Sequence, residues 1–143
     1  MSGKSSVITP KILAIGSNDW NLPERTEVFR AAKVQLERLL GTECELVDLK
    51  DWFKSTFSVH GSRDSWLFET VRGRDYATRR PLFNLFLCCT GSLDATQAQL
   101  VQFAFSESKP VLGFSYGNES FLSISSLEAQ GGEWGVRGSI LGE

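Results

Sequence analysis

The chain has 143 residues, a formal net charge of -2, and 41% hydrophobic and 22% charged residues. That length fits one domain able to bury a core without staples, and the near balance of charge argues against a nucleic-acid partner held by bulk electrostatics. Residues 1–10 are polar and lack the apolar stretch of a secretory signal. They read as a flexible segment ahead of a single domain over 11–143. No run reaches the length of a membrane span, so no membrane partner is expected. Three cysteines, Cys44, Cys88 and Cys89, form an odd set with an adjacent pair, unlike a disulfide framework. Neighbours on a strand face opposite sides, so Cys88 and Cys89 read as small buried hydrophobes rather than a redox pair. With one histidine, His60, there is no zinc spacing, and no metal site is expected. A reducing, cytoplasmic compartment is the expectation.

Lys11 to Gly16, KILAIG, is a short apolar run closed by glycine, the pattern of a strand buried on both faces. Pro23 suits a first helical turn, and Glu24 complements the positive helix end. Val28, Ala32, Leu36 and Leu39 repeat at helical spacing up to a stop at Gly41. Cys44 to Leu49, CELVDL, reads as a second strand. Lys50 to Pro81 is hard to assign; Asp64 to Thr78 is expected as a helix interrupted at Gly73. Arg63, Arg72, Arg74, Arg79 and Arg80 fall there and suit a solvated helix face or an anion site. Leu82 to Thr90, LFNLFLCCT, reads as the central strand. Asp94 and Gln97 have capping-box spacing before a helix with Leu100, Val101, Ala104 and Phe105 on its buried stripe. Lys109-Pro110 ends that helix and Pro110 to Phe114 forms another strand. The tail carries Phe121, Leu122, Ile124, Leu127, Trp134, Val136 and Ile140.

Alternation of this kind predicts an α/β fold: a flavodoxin-like, doubly wound parallel sheet of four or five strands in three α/β/α layers. Ligand sites in such sheets lie at the carboxyl ends of the strands, near the point where strand order reverses. Three loops qualify: Gly16 to Arg25, Thr90 to Gln99 and Ser115 to Asn118. In the first, Gly16 allows backbone approach, Ser17 offers a hydroxyl and the helix start offers amides, a combination suited to phosphate or a ribose hydroxyl. Trp20 either stacks on a planar base or caps the core. Ser92 and Tyr116 are candidate contacts in the other two loops. Asp94 is a helix cap or a ligand group, Asp75 is a solvated carboxylate or a site acid, and Gln99 lies one turn into a helix beside the central strand's end.

Gly16-Ser17, Arg25-Thr26, the strand Leu82 to Cys89, Gln99-Leu100, Ala104, Lys109 and the glycine- and tryptophan-bearing tail together carry a likeness. On these residues the chain resembles nucleoside 2-deoxyribosyltransferases and the related deoxynucleoside-monophosphate N-glycosidases. The resemblance implies a nucleoside or nucleotide ligand with Ser17 and Arg25 at its phosphate or sugar, Trp20 at the base, Asp75 near the base, Asp94 on a sugar hydroxyl and position 99 at the reacting carbon. It implies no cofactor. In that family the glutamate of a Glu-Leu pair attacks the anomeric carbon; here Gln99 stands there, and the nearby acids Asp94 and Glu107 do not hold the matching place, which implies weakened or lost activity unless another acid such as Asp94 serves. KILAIGS and ELVDLKDW also look like the start of NAD(P)H-dependent FMN reductases, which would make FMN the cofactor and the Gly-Ser loop its phosphate cradle. The chain has only Cys-Thr-Gly-Ser at Cys89 to Ser92 where that family has a longer loop. A third reading is a non-catalytic interaction module or homo-oligomer, with Phe57, Trp66, Phe121 and Trp134 as contact or core.

Overall fold

The computed structural model describes residues 9–123. The element order is β1 (Lys11–Ile15), α1 (Leu22–Leu40), β2 (Glu45–Asp48), α2 (Leu49–His60), α3 (Arg63–Arg72), β3 (Leu85–Cys88), α4 (Ala95–Ser106), β4 (Val111–Ser115) and β5 (Ser120–Ser123). The sheet order is β2-β1-β3-β4-β5. β1 pairs in parallel with β2 and β3, β3 pairs in parallel with β4, and β5 runs antiparallel to β4. The expected parallel strands are therefore present, and the sheet is mixed only because a hairpin adds β5 at one edge. The order reverses between β1 and β3, which is the switch point of a doubly wound α/β fold.

Period-two alternation sends each strand's side chains to two cores. Leu13, Ile15, Phe86 and Cys88 face α2, α3 and α4, where Trp66, Leu67, Leu100, Val101 and Ala104 meet them. Ile12, Leu85, Leu87 and Cys89 face α1, where Val28, Ala31, Ala32 and Leu36 meet them. Cys88 and Cys89 thus fall on opposite faces, as the alternation predicts. All three cysteines are free and buried, and burial pushes all three thiols up from their ordinary range, which keeps them protonated and unreactive.

Three boundaries differ from the sequence reading. The run CELVDL is split, because Asp48 caps α2 by accepting from Lys50 N–H, so the chain turns from strand to helix without a loop. The expected helix Asp64–Thr78 begins at Arg63 and stops at Arg72; Gly73 to Leu82 is a loop closed by the bridge Arg74↔Pro81. The run Leu82–Thr90 is strand only over Leu85–Cys88. Trp66 is fully buried, while Phe57 and Phe121 are half-buried against the two cores. Residues Ile124, Leu127, Trp134, Val136 and Ile140 lie outside the described residues.

Candidate functional site

The loops at the carboxyl ends of β1 and β3 are joined by side chains. Asn21 begins α1 with a reciprocal capping box: its side chain accepts from Glu24 N–H, and the Glu24 carboxylate accepts from Asn21 N–H. Arg25, one turn in, is buried and turns back toward the sheet. Its Nε donates to Asp48 Oδ2 at 2.5 Å and its Nη2 to Asp48 Oδ1 at 2.9 Å, while Nη1 donates to the Ser17 carbonyl at 2.7 Å. The hydrogen bond to Asp48 raises the guanidinium pKa and outweighs the opposing effect of burial, so Arg25 stays charged. One side chain thereby fixes the β1 loop, the start of α1 and the start of α2.

The β3 loop is fixed by a second device. Asp94 caps α4: Oδ1 accepts from Gln97 N–H at 2.7 Å, and Gln97 Oε1 accepts from Asp94 N–H at 2.9 Å. Gln97 is buried, and its Nε2 crosses to donate to the Gly16 carbonyl at 3.0 Å. Asp94 Oδ2 accepts from Asn18 Nδ2 at 2.6 Å. A cavity of about 310 Å³ lies beside these loops, between α2 and α4. Leu49, Phe53 and Trp66 give it apolar walls, and Asn18, Arg25, Lys50, Lys54, Thr96, Gln97 and Asp94 supply its polar groups. Lys50 and Lys54 stand one turn apart on the first turns of α2. Neither ammonium has an ion-pair partner among the described residues. Cationic side chains therefore outnumber Asp94, the one carboxylate on the lining.

The structure separates the residues singled out in the sequence. Arg25 and Asp94 reach this cavity. Gly16 and Ser17 do not line it; their carbonyls accept from Gln97 and Arg25, which do. A Cβ at Gly16 would lie 2.7 Å from a Trp20 ring carbon and 2.9 Å from one of Phe29, so the glycine serves close packing. Ser17 Oγ accepts from Asp19 N–H within its own loop. Trp20 meets Phe29 edge-on at 6.2 Å and packs on the α1-side core. Ser92 is exposed, and its N–H donates to Thr90 Oγ1. Tyr116 is 42% exposed and donates to Glu27 across the α1 side.

Gln99 is exposed on α4, accepts from Arg63 at 3.2 Å and does not line the cavity. It sits about 200° around the helix from Gln97, the inward residue. Asp75 is at the amino end of the sheet, in the Gly73–Leu82 loop that leads into β3. Its Oδ1 accepts from the N–H groups of Ala77 and Thr78, which lower its pKa. It shares no cavity with Asp94.

Asn18, Lys50, Phe53, Lys54 and Gln97 are site residues that the sequence reading did not single out. The i, i+4 spacing of Lys50 and Lys54 behind a capping Asp48 was the available signal. Among the described residues no cluster of three or more His, Cys, Asp or Glu forms a metal site, and no helix is long and apolar enough to cross a membrane. Comparisons with protein-family models, with curated proteins and with solved structures returned no match.

Proposed function

We propose that this protein binds a small phosphorylated ligand of nucleotide kind in the cavity between α2 and α4. The observation that carries the reading is the lining itself: two ammonium groups with no ion-pair partner among the described residues, beside the apolar walls of Phe53 and Trp66, at the switch point of the sheet. The lysines suit a phosphate, the aromatic wall suits a planar group, and Asp94 suits a sugar hydroxyl, while Arg25, paired with Asp48, holds the loops in place. In this reading Asp94 is also the acid for any N-glycosidase or deoxyribosyl-transfer chemistry, because carboxylate chemistry on a sugar needs an acid beside the anomeric carbon. Gln99, bonded to Arg63 on the outer face of α4, has no part in it.

Titration with deoxynucleoside monophosphates and with the parent deoxynucleosides tests the reading. The monophosphates should bind about tenfold tighter or more, a preference of roughly 1.4 kcal/mol, and Lys50→Ala with Lys54→Ala should remove it. Equal affinity for the two series, or no binding at millimolar concentration, would overturn the reading. Chromatography of the same mixtures decides catalysis. Base released by the native chain and not by Asp94→Asn defines an N-glycosidase; no release defines a binding domain.

No cofactor is proposed. The flavin alternative is supported less, because Ser17 Oγ is turned into its own loop and Trp20 covers Gly16. Flavin absorbance retained after soaking with FMN would revive it. A non-catalytic, self-associating module is supported less too, with Trp66 in the core and Phe57 and Phe121 half-buried. The proposed partner is a small molecule rather than nucleic acid or membrane, and three buried free thiols suit a reducing, cytoplasmic setting.

A further inference from the structure

A second cavity, of about 600 Å³, opens on the α1 side of the sheet at the carboxyl ends of β3 and β4. It shares no lining residue with the first cavity. Its lining includes the aromatic residues Trp20 and Tyr116, Glu24 and Glu27 from the first turns of α1, and Thr90. Both charged residues on its lining are acidic, whereas the α2–α4 cavity carries three cationic residues and one carboxylate.

The site is held open by its own contacts. Tyr116 OH donates to Glu27 Oε2 at 3.2 Å, and Gln35 Nε2 donates to Glu119 Oε1 at 3.2 Å. These two bonds fasten the β4–β5 turn to α1. Glu27 also accepts from Arg30, and Glu24 Oε1 accepts from Asn21 N–H. Glu24 Oε2 has no partner among the described residues. Thr90 is only 8% exposed; its Oγ1 accepts from Ser92 N–H, and its hydroxyl proton has no acceptor among the described residues. The positive end of α1 is offset by Glu24 and Glu27 themselves.

We propose that this cavity is a second ligand site, and that it takes a planar organic cation, such as an amidinium or a protonated amino-heterocycle. Aromatic faces attract a flat cation, and the attraction grows as water is excluded. Carboxylate oxygens take its N–H donors in charge-assisted hydrogen bonds. Arg30 holds both Glu27 oxygens and offsets that charge, which leaves Glu24 as the carboxylate that favours a cation and disfavours a phosphate. The proposal does not depend on the reading of the α2–α4 cavity.

Calorimetric titration of the full chain with benzamidinium, benzoate and cyclohexylammonium tests it. Benzamidinium should saturate one site, and both the planar anion and the non-planar cation should bind about tenfold more weakly or worse. Glu24→Gln should weaken benzamidinium by about fivefold while leaving the fold intact, because glutamine also serves in a capping box. Tyr116→Leu should weaken it without touching that box. Lys54→Ala should leave it unchanged, which separates this site from the phosphate site. Equal binding of benzoate, insensitivity to both Glu24→Gln and Tyr116→Leu, or no saturation by benzamidinium would each overturn the proposal.

Discussion

At the amino end of the sheet, the loop from Gly73 to Leu82 is bonded to itself. Asp75 N–H donates to the Arg80 carbonyl, Arg79 N–H to the Asp75 carbonyl and Arg74 Nη1 to the Arg79 carbonyl. Arg79 adopts φ 65°, a left-handed value unusual away from glycine. At the carboxyl end, the loops after β1 and β3 are bonded to each other and to α2, through Arg25, Gln97 and Asp94. Both ends use an aspartate to cap a turn and an arginine to hold a carbonyl. Asp75 and Arg74 satisfy neighbours within ten residues, whereas Arg25 and Asp94 reach partners 23 and 76 residues away. The first arrangement makes a self-contained loop. The second assembles a cavity wall from three elements, and its failure should propagate.

Substituting the two arginines breaks the comparison most severely. Arg25→Ala removes the guanidinium from Asp48 and leaves a carboxylate that is 16% exposed without its counterion. The expected loss is about 3 kcal/mol of stability, the cost of breaking a largely buried pair. Arg74→Ala at the amino end should cost no more than about 0.5 kcal/mol, as for an exposed side chain. Urea unfolding of both variants at unchanged slope measures the difference. Equal losses would mean that the carboxyl-end network is no more integral to the fold than the amino-end loop.

The two glutamines of α4 give the next contrast. Gln97→Ala strands the buried Gly16 carbonyl and leaves Asp94 N–H without its acceptor. At about 1 to 3 kcal/mol for each unsatisfied group, a loss of about 2 kcal/mol or more is expected. Gln99→Ala removes only an exposed bond to Arg63 and should stay within about 0.5 kcal/mol. The same unfolding experiment reads both, and a Gln99 effect as large as that of Gln97 would reverse the assignment of inward and outward faces.

That pair also marks how far the sequence could be read. β1, β3, β4, α1 and α4 were legible because apolar runs buried on both faces, a proline at a first turn and a capping box are local signals. The inward place of Gln97 was legible in principle, since it lies three and four residues before Leu100 and Val101 on the buried stripe. The likeness drew attention to Gln99 instead, two residues off that stripe. α2 was obscured because Asp48 belongs at once to an apolar strand run and to a helix cap. β5 was missed because Ser120–Ser123 is too short to show alternation, although Gly117-Asn118 before it is a hairpin signal. The placement of Asp75 was not legible at all. Which end of a sheet a loop serves depends on where the preceding helix stops, and α3 ends six residues earlier than the periodicity implied.

Ligand binding sharpens the comparison at smaller cost to the fold. Asp94→Asn keeps a capping oxygen, so stability should fall by no more than about 1 kcal/mol, yet it removes the one carboxylate of the α2–α4 cavity. Any base release should be lost, and the affinity of a deoxynucleoside monophosphate should change by several-fold. Asp75→Asn, at the other end of the sheet, should leave both unchanged. A loss of release with Asp75→Asn would return the site to the residues that the family likeness implied.

The smallest expected effect is a pH dependence confined to the amino-end loop. Asp75 has its pKa held below the ordinary 3.8, first by the Thr78 N–H; partial desolvation opposes this, and the Ala77 N–H adds to the lowering. Because the folded pKa lies below the unfolded one, the bonds to this carboxylate contribute fully above about pH 3.8 and are lost as pH falls through the lower, folded value. Protonation leaves Oδ1 a poorer acceptor, so the amide signals of Ala77 and Thr78 should move together as acid is added. They should do so at a pH below that of a free aspartate, while the Asn18 and Gln97 amides at the carboxyl end need not follow that curve. The titration is read by nuclear magnetic resonance, and Asp75→Asn should abolish it. Amides of residues 77 and 78 that titrate at or above pH 3.8 would show that the turn is not closed by Asp75, and with it the claim that the Gly73–Leu82 loop is bonded to itself would fall.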